Sequence, residues 1–228
     1  MTSANTANPM PTAGSRIRFA VLRGASNVLL GMAVGLLGYY GVTDLFAGVE
    51  QSSLREEAPA AVLRERVVAK PGSPFDFEGW EAEDADYWGD LKAGKVFGRL
   101  VAEEMDLDAV IVKGVSRADL QRGPGWITYT DLPGPTGNCG ISGHRTTYGA
   151  PFRKLDRLDV GDTIDLYSPF RRYRYRVKKT FSVTPDKVEV VDSTEEPMLT
   201  LTACHPPYSA KYRLIVQSDL IEVKRLAE

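Results

Sequence analysis

Hydrophobic and polar positions change their pattern three times along the chain. Residues 24–43 form an apolar run of 20 residues without a charged side chain. A polar tail precedes this run at 1–23, and a helical, then acidic and aromatic segment follows it at 44–92. From 93 to 228, short apolar runs alternate with glycine, proline and aspartate, which is typical of β-strands joined by turns. The pattern predicts a disordered tail, one long helix, a stalk and a folded domain rich in strands.

The apolar run has the length of a membrane-spanning helix. Twenty residues at about 1.5 Å each cover roughly 30 Å, the hydrocarbon thickness of a bilayer. Arg16, Arg18 and Arg23 precede the run and Asp44 follows it. The positive-inside rule therefore predicts a single-pass membrane protein with a cytoplasmic N-terminus and an extracellular folded domain. A cleaved signal peptide and a buried core helix are the alternatives, but the run is long for a signal peptide and no clear A-x-A site follows it.

The segment 44–92 is predicted to be an extracellular stalk. Its first half has helical periodicity, and its second half is acidic and aromatic. Its aromatic side chains are more apolar than a spacer needs, so they either pack on the folded domain or cover its groove as a lid. These side chains are Phe75, Phe77, Trp80, Tyr87 and Trp88.

The folded domain is predicted to be mostly β. One short helix fits 116–121, with Ser116 as its N-cap and Asp119 at its third position. Eight short strands with few helices favour a single closed or nearly closed β-barrel. The candidate strands are 96–100, 109–112, 140–144, 163–167, 171–177, 188–190, 199–204 and 213–223.

Composition narrows the classes of function. The formal net charge of the 228 residues is −2, so no global positive field favours nucleic acid as a partner. No phosphate-binding glycine loop, HExxH motif or CxxC pair occurs, and we expect neither a cofactor nor a metal ion. Two cysteines cannot form a disulfide framework, but they leave room for one structural thiol and one reactive thiol.

Strand alternation separates the two cysteines, because successive side chains of a strand point to opposite faces. In NCGISGH (138–144), Cys139 shares the parity of the apolar side chain of Ile141, which predicts a buried thiol. In LTLTACH (199–205), Cys204 lies on the polar parity and is predicted to point outward. The apolar face of this second run carries Leu199, Leu201 and Ala203, and the outward face carries Thr200, Thr202 and Cys204.

Two further candidate residues share the outward parity of their own strands. They are His144, at the end of 138–144, and Arg213, which alternates with the apolar Leu214. If the three outward faces coincide, the thiolate of Cys204 attacks a carbonyl, an imidazolium protonates the leaving amine and a guanidinium stabilises the oxyanion. His205 directly follows Cys204 and so points to the opposite face, where we expect it to shape the turn at HPP.

Two motifs, GHRTTYGAPF (143–152) and TLTACHPPYSAKYRLIV (200–216), resemble those of the sortases, especially the class E sortases of actinobacteria. The resemblance covers roughly residues 93–226. It implies an eight-stranded β-barrel with an essential Cys, His and Arg, which map onto Cys204, His144 and Arg213. It also implies cleavage of a C-terminal LAxTG-like or LPxTG-like sorting signal between Thr and Gly.

The resemblance implies partners as well as a reaction. The acyl group would pass to an amine of a lipid II-like cell-wall precursor or of a pilin, and the substrates would be surface proteins that carry the signal. A pilin-polymerising sortase, a hydrolytic cysteine peptidase with the same site and a non-enzymatic barrel that binds wall components are the alternatives.

The sequence departs from the family pattern at two places. The TLxTC motif has Thr immediately before the nucleophile, where this chain has Ala203. Class E members often carry Tyr just after a Gly-Pro-Gly stretch, where this chain has Trp126 and Ile127, with Tyr129 displaced. The expected substrate-binding residues are Thr200, Thr202, Ala203 and Tyr148.

Overall fold

The computed structural model describes residues 13–68 and 72–227. These fall into two units, one that ends at Val42 and one that runs from Thr43 to the C-terminus. Of the tail predicted to be disordered, residues 1–12 lie outside the described part. The rest of that prediction is wrong, because helix α1 begins at Ala13 and ends at Glu57.

Within α1, the stretch Val21–Glu57 is long and apolar enough to cross a membrane. Its apolar side chains, such as Leu29, Leu37 and Val42, are largely exposed. This exposure favours a membrane span over the alternative of a buried core helix, because a core helix covers its apolar face with protein.

A closed eight-stranded barrel forms the second unit, which confirms the predicted fold class. Neighbouring strands follow the order β1-β2-β3-β4-β7-β8-β6-β5, and β5 pairs with β1 to close the barrel. The β2–β3 and β4–β7 pairs are parallel and the others are antiparallel. The strands are β1 Val96–Ala102, β2 Leu107–Lys113, β3 Gly125–Trp126, β4 Asn138–Ser142, β5 Thr163–Tyr167, β6 Arg171–Val183, β7 Met198–His205 and β8 Tyr212–Arg225.

Short helical pieces precede the first strand or connect later strands. Helix α3, Arg117–Arg122, has Ser116 as its N-cap in a capping box with Asp119, which confirms the predicted helix start. The other pieces are α2 Asp86–Asp90, a π-helical turn Glu81–Ala85 and the 3-10 turns Ala60–Leu63, Glu103–Met105, Leu155–Arg157 and Val188–Val191.

One strand prediction was wrong and one strand was missed. Residues 188–190 belong to a 3-10 turn that lies over the outer face of β4 and β8, where Asn138 and Gln217 donate hydrogen bonds to the Val190 carbonyl. These side-chain bonds take the place of a strand ladder. The missed strand, β3, has two residues, which is too short to show alternation.

The barrel interior is filled by the inward faces of its strands. Cys139, Leu199, Leu201 and Ala203 all lie in this core, as strand parity predicts. Trp88 stacks on Phe97 with ring centroids 5.0 Å apart. The alternation of apolar and polar residues therefore predicts the inward face of β7 correctly.

The part of α1 after Val42 packs on the barrel as well. The side-chain amide of Gln51 donates a hydrogen bond to the Val110 carbonyl of β2 and accepts one from the Val110 N–H. Arg55 forms an ion pair with Asp108. Leu54 is fully buried against Val110 and its neighbours. The predicted helical stretch of the stalk is thus present, but one of its faces is covered.

The aromatic segment (residues 74–90) also belongs to the compact unit. Arg171 and Asp84 form an ion pair with both side chains fully buried, and Arg171 also donates to the Asp76 carbonyl at 2.9 Å. Burial raises the pKa of Asp84, whereas the adjacent guanidinium acts to lower it. Phe77, Trp80 and Tyr87 pack against the barrel core. Compact structure therefore extends over most of the predicted stalk.

Candidate active site

The pairing of β7 with β8 places Cys204 directly opposite Arg213. Directly opposite residues of an antiparallel pair project from the same face, with Cβ atoms about 5 Å apart. Because Leu214 and Ala203 lie in the core, this shared face is the outer one. Two of the three candidate side chains therefore meet on the outside of the barrel.

The pairing of β4 with β7 brings His144 to the other side of Cys204. Ser142 pairs with Thr202, and the Gly143 amide donates to the Thr202 carbonyl at 3.1 Å. Continuing this one-to-one pairing puts His144 level with Cys204, on neighbouring chain segments that are about 5 Å apart. Cys204 therefore has Arg213 on one neighbouring strand, β8, and His144 two residues beyond the end of the other neighbouring strand, β4.

Local packing fixes the chain on both sides of His144. The carbonyl of His144 accepts a hydrogen bond from the Phe152 amide at 3.0 Å. A Cβ atom at Gly143 would lie 2.8 Å from Cδ2 of Phe152, so only glycine lets the aromatic ring approach the backbone this closely. The β4–β5 loop is therefore folded back on the residue that precedes His144.

Burial distinguishes the two thiols. Cys139 is fully buried, and desolvation raises the pKa of its thiol well above the usual range, which disfavours the reactive thiolate. Cys204 is partly exposed. Strand parity had assigned these two locations correctly.

The imidazole of His144 is partly buried beside a tyrosine. Its ring centroid lies 5.3 Å from that of Tyr148, and burial lowers the pKa of His144. Its Nε2 atom is buried and has no hydrogen-bond partner within the described residues. This nitrogen is therefore not held by a hydrogen bond from the described part of the chain.

The guanidinium of Arg213 donates hydrogen bonds to two nearby carbonyls. These belong to Ala210 at 3.1 Å and Tyr212 at 3.2 Å. No carboxylate lies within 4.0 Å of it in the part of the chain that the structure describes. The charge beside Cys204 is therefore not neutralised by an acidic side chain.

Comparison with known proteins decides the family. A model described as the sortase domain matches residues 100–221, more than half of the chain. The chain belongs to the sortase family. The resemblance that the two motifs indicate is confirmed, and sortases named SrtE1 and SrtE2 of Streptomyces coelicolor are among the relatives.

Two sortases with related sequences illustrate the extent of the match. SrtE1 of S. coelicolor is 31% identical over 150 residues, which cover 59% of this chain and 43% of that protein. Sortase A of Bacillus anthracis is 30% identical over 135 residues, which cover 59% of this chain and 64% of the relative. The chain thus spans less than two thirds of the length of either relative.

Solved sortase structures have the same barrel. Sortase E1 of S. coelicolor, determined with a tripeptide in its active site, has a TM-score of 0.55 and 29% identity over 59% of this chain and 94% of that structure. A Clostridium perfringens sortase D5 transpeptidase has a TM-score of 0.62 at 24% identity, covers 76% of this chain and 99% of that structure, and shows the fold alone.

Two of the four expected substrate-binding side chains are not accessible. Thr200 is fully buried and donates its hydroxyl to Asn138 Oδ1 at 2.8 Å under the Val188–Val191 turn. Ala203 points into the core and is 2% exposed. For these two residues the expectation is corrected, because neither side chain can reach a peptide on the outer face.

The other two expected residues are accessible. Thr202 shares the outer face with Cys204 and is partly exposed. Tyr148 is partly exposed, and its hydroxyl accepts a hydrogen bond from Gln121 at 3.0 Å. Of the residues beyond the Gly-Pro-Gly stretch, Trp126 and Ile127 are buried, whereas Tyr129 is 72% exposed.

Sequence reasoning missed Arg145, which follows His144 in the motif. Its side chain is 2% exposed and lies within hydrogen-bond distance of His205 and Asp156. A charged residue inside a recognisable motif is the only signal in the sequence that points to it. The expected role of His205 in the turn therefore leaves out its contact with Arg145.

Proposed function

We propose that this chain is a membrane-anchored cysteine transpeptidase that cleaves a C-terminal sorting signal between Thr and Gly. The signal is LAxTG-like or LPxTG-like, and the acceptor is an amine of a cell-wall precursor or a pilin. One observation supports the proposal: Cys204 pairs directly with Arg213, and Ser142, two residues before His144, pairs with Thr202, two residues before Cys204.

Bond formation begins at Cys204. The thiol proton passes to the imidazole of His144, the thiolate attacks the carbonyl carbon of the signal's Thr, and the carbonyl oxygen becomes an oxyanion. Arg213 projects from the same face as Cys204, and its permanent positive charge stabilises that oxyanion through hydrogen bonds. The thiol is partly exposed, so a peptide can approach it.

Proton transfer falls to His144. Its imidazolium protonates the departing Gly amine, which leaves a thioester between Cys204 and the Thr acyl group. The neutral imidazole then takes a proton from the incoming amine, which attacks the thioester and expels the Cys204 thiolate. The imidazolium returns the proton to this thiolate. Burial lowers the pKa of His144, which favours the neutral imidazole that accepts a proton in each step.

The peptide itself would lie along the outer faces of β4, β7 and β8 beside Cys204. Ser142 and Thr202 are partly exposed there, and the Val188–Val191 turn forms one border. Beyond that turn Thr200 and Gln217 are covered. The open surface on this side of Cys204 therefore ends near Thr202.

Helix α1 supports the proposed membrane anchoring. The apolar stretch of this helix would span the bilayer, with the N-terminus in the cytoplasm and the barrel outside. A surface-exposed barrel is where proteins that carry a sorting signal and their acceptor amines would meet.

The start of the aromatic segment lies far from Arg213 along β8, which argues against a lid formed by this part of the segment. Its backbone pairs with Val223 of β8 through Phe75 and Asp76. Val223 is ten residues along β8 from Arg213, which at about 3.3 Å per residue is roughly 30 Å.

Product analysis tests the proposed function. The purified full-length chain in detergent is incubated with LAxTG and LPxTG peptides, with or without oligoglycine or a diaminopimelate-bearing peptide as the acceptor amine. The masses of the products are then measured by mass spectrometry. We expect cleavage between Thr and Gly, with the N-terminal fragment joined to the amine when one is present. Cleavage that always ends in the free acid would support the hydrolytic peptidase, and no cleavage of either peptide would contradict the proposal.

A further inference from the structure

Arg145 and His205 are the direct neighbours of the two reacting groups. Arg145 follows His144 in the β4–β5 loop, and His205 follows Cys204 at the end of β7. Nη1 of Arg145 lies 2.6 Å from Nδ1 of His205. One side-chain contact thus joins the two chain segments that carry the proposed acid and nucleophile.

The chemistry of arginine fixes which atom accepts in the hydrogen bond between Arg145 and His205. A guanidinium has donors only, so Nδ1 of His205 is the acceptor of this hydrogen bond. The other terminal nitrogen of Arg145, Nη2, lies 2.8 Å from Oδ1 of Asp156, whose side chain is 56% exposed. Asp156, Arg145 and His205 therefore form a chain of contacts from the surface to the strand end.

Burial of the Arg145 side chain makes this contact unfavourable for the stability of the fold. The Arg145 side chain is 2% exposed, and its Nε atom is buried without a partner among the described residues. A buried charge with an unsatisfied donor is unfavourable for stability, and an apolar side chain of similar volume is often as good or better. Stability alone is therefore a weak reason for an arginine here.

Geometry supplies a stronger reason. The last backbone bond between the two segments runs from the Gly143 amide to the Thr202 carbonyl, before either reacting residue is reached. The Arg145–His205 contact lies just beyond both of them. His144 and Cys204 are thus bracketed by a backbone bond on one side and a side-chain contact on the other.

We propose that Arg145 and His205 are positioning residues that hold His144 and Cys204 at their working separation. Neither touches the substrate, and both act through the neighbouring residue. The inference rests on the proposed roles of Cys204 and His144. A misplacement of about 1 Å costs roughly a hundredfold in rate, so such a bracket has a large effect on kcat.

A disulfide measures this separation without any catalysis. In a His144→Cys background, the introduced thiol and Cys204 lie on neighbouring segments whose expected Cα distance is within the range of roughly 4–7 Å that a disulfide requires. The equilibrium between this disulfide and glutathione gives the effective concentration of one thiol at the other. Cys139 does not interfere, because it is fully buried.

Arg145→Met and His205→Leu are each added to this background in the full-length chain. We expect the effective concentration to fall about tenfold or more in both, and the double variant to be no worse than either. Arg157→Met, an exposed arginine of the same loop, is the control and should have no effect. His205→Asn should restore most of the value, because its Oδ1 can accept the bond in place of Nδ1. Unchanged values in both variants, or a fall that His205→Asn does not restore, would overturn the proposal.

Kinetics of the same substitutions, with His144 intact, complete the test. A positioning role predicts a lower kcat for peptide cleavage at an unchanged KM, with His205→Asn close to wild type. A role in stability alone predicts a lower melting temperature and unchanged kcat for the folded fraction, which would contradict the proposal. If the wild-type chain cleaves no peptide, the proposed function fails, while the disulfide equilibrium still decides whether Arg145 and His205 set the separation.

Discussion

Replacing Cys204 with alanine is expected to abolish both cleavage and transfer, whereas replacing Cys139 with alanine leaves both reactions in place. Cys204 is the partly exposed thiol between His144 and Arg213, and no other residue there can form the thioester. Removing a covalent nucleophile costs roughly 10⁴-fold or more in kcat. Cys139 faces the core, so Cys139→Ala should cost about 1 kcal/mol of stability through a small cavity.

A fluorogenic sorting-signal peptide and mass spectrometry of the amine adduct measure the two activities. The matched cysteine pair separates loss of the nucleophile from loss of a thiol in general. Turnover by Cys204→Ala within tenfold of wild type would exclude Cys204 as the nucleophile. Inactivity of a folded Cys139→Ala variant would show that the buried thiol matters beyond packing.

Replacing Arg213 with lysine is expected to lower kcat by roughly 10²–10³-fold, the usual cost of losing one oxyanion donor. Lysine keeps the charge, but a compact ammonium does not reproduce the planar fork of donors. The strand should survive the change, because Arg213 is partly exposed and donates to backbone carbonyls close to it in the chain, those of Ala210 and Tyr212.

The control for this change is Arg176→Lys, at an exposed position on β6. It should leave kcat and KM unchanged. The two variants are compared by initial rates over a range of peptide concentrations, after circular dichroism confirms that both are folded. A rate for Arg213→Lys equal to that of Arg176→Lys would remove the oxyanion role from Arg213.

Alternation along single strands predicted much of the site. It separated Cys204 from Cys139 and assigned the outward parity of His144 and Arg213, because the period of two is a local property of a strand. Whether three outward faces coincide depends on which strands are neighbours. That order, with β7 between β4 and β8, is a property of the folded barrel and not of any single strand.

Features that depend on distant partners could not be predicted. Thr200 carries the outward parity, yet the Val188–Val191 turn covers it, and alternation says nothing about what lies above a sheet. Asp84 and Arg171 are far apart in the chain and resemble two surface charges until the fold pairs them. The contact between Arg145 and His205 belongs to the same class.

The predicted stalk shows that average composition does not predict which side chains of a segment are buried. Its acidic composition favours a solvent-exposed tether, but Trp88 is fully buried and donates its indole N–H to the Phe97 carbonyl at 2.7 Å. A few large aromatic side chains outweigh many surface carboxylates, because each buries a large apolar area. Composition averaged over a segment hides the residues that decide its packing.

Intact-protein mass spectrometry of the chain mixed with a sorting-signal peptide, without an added amine, tests the central claim most directly. The account predicts a covalent species heavier by the acyl fragment that ends at Thr, located on Cys204 by peptide mapping and released by hydroxylamine or by an acceptor amine. A cleaved peptide with no adduct in rapidly quenched samples, or an adduct on any residue other than Cys204, would contradict it.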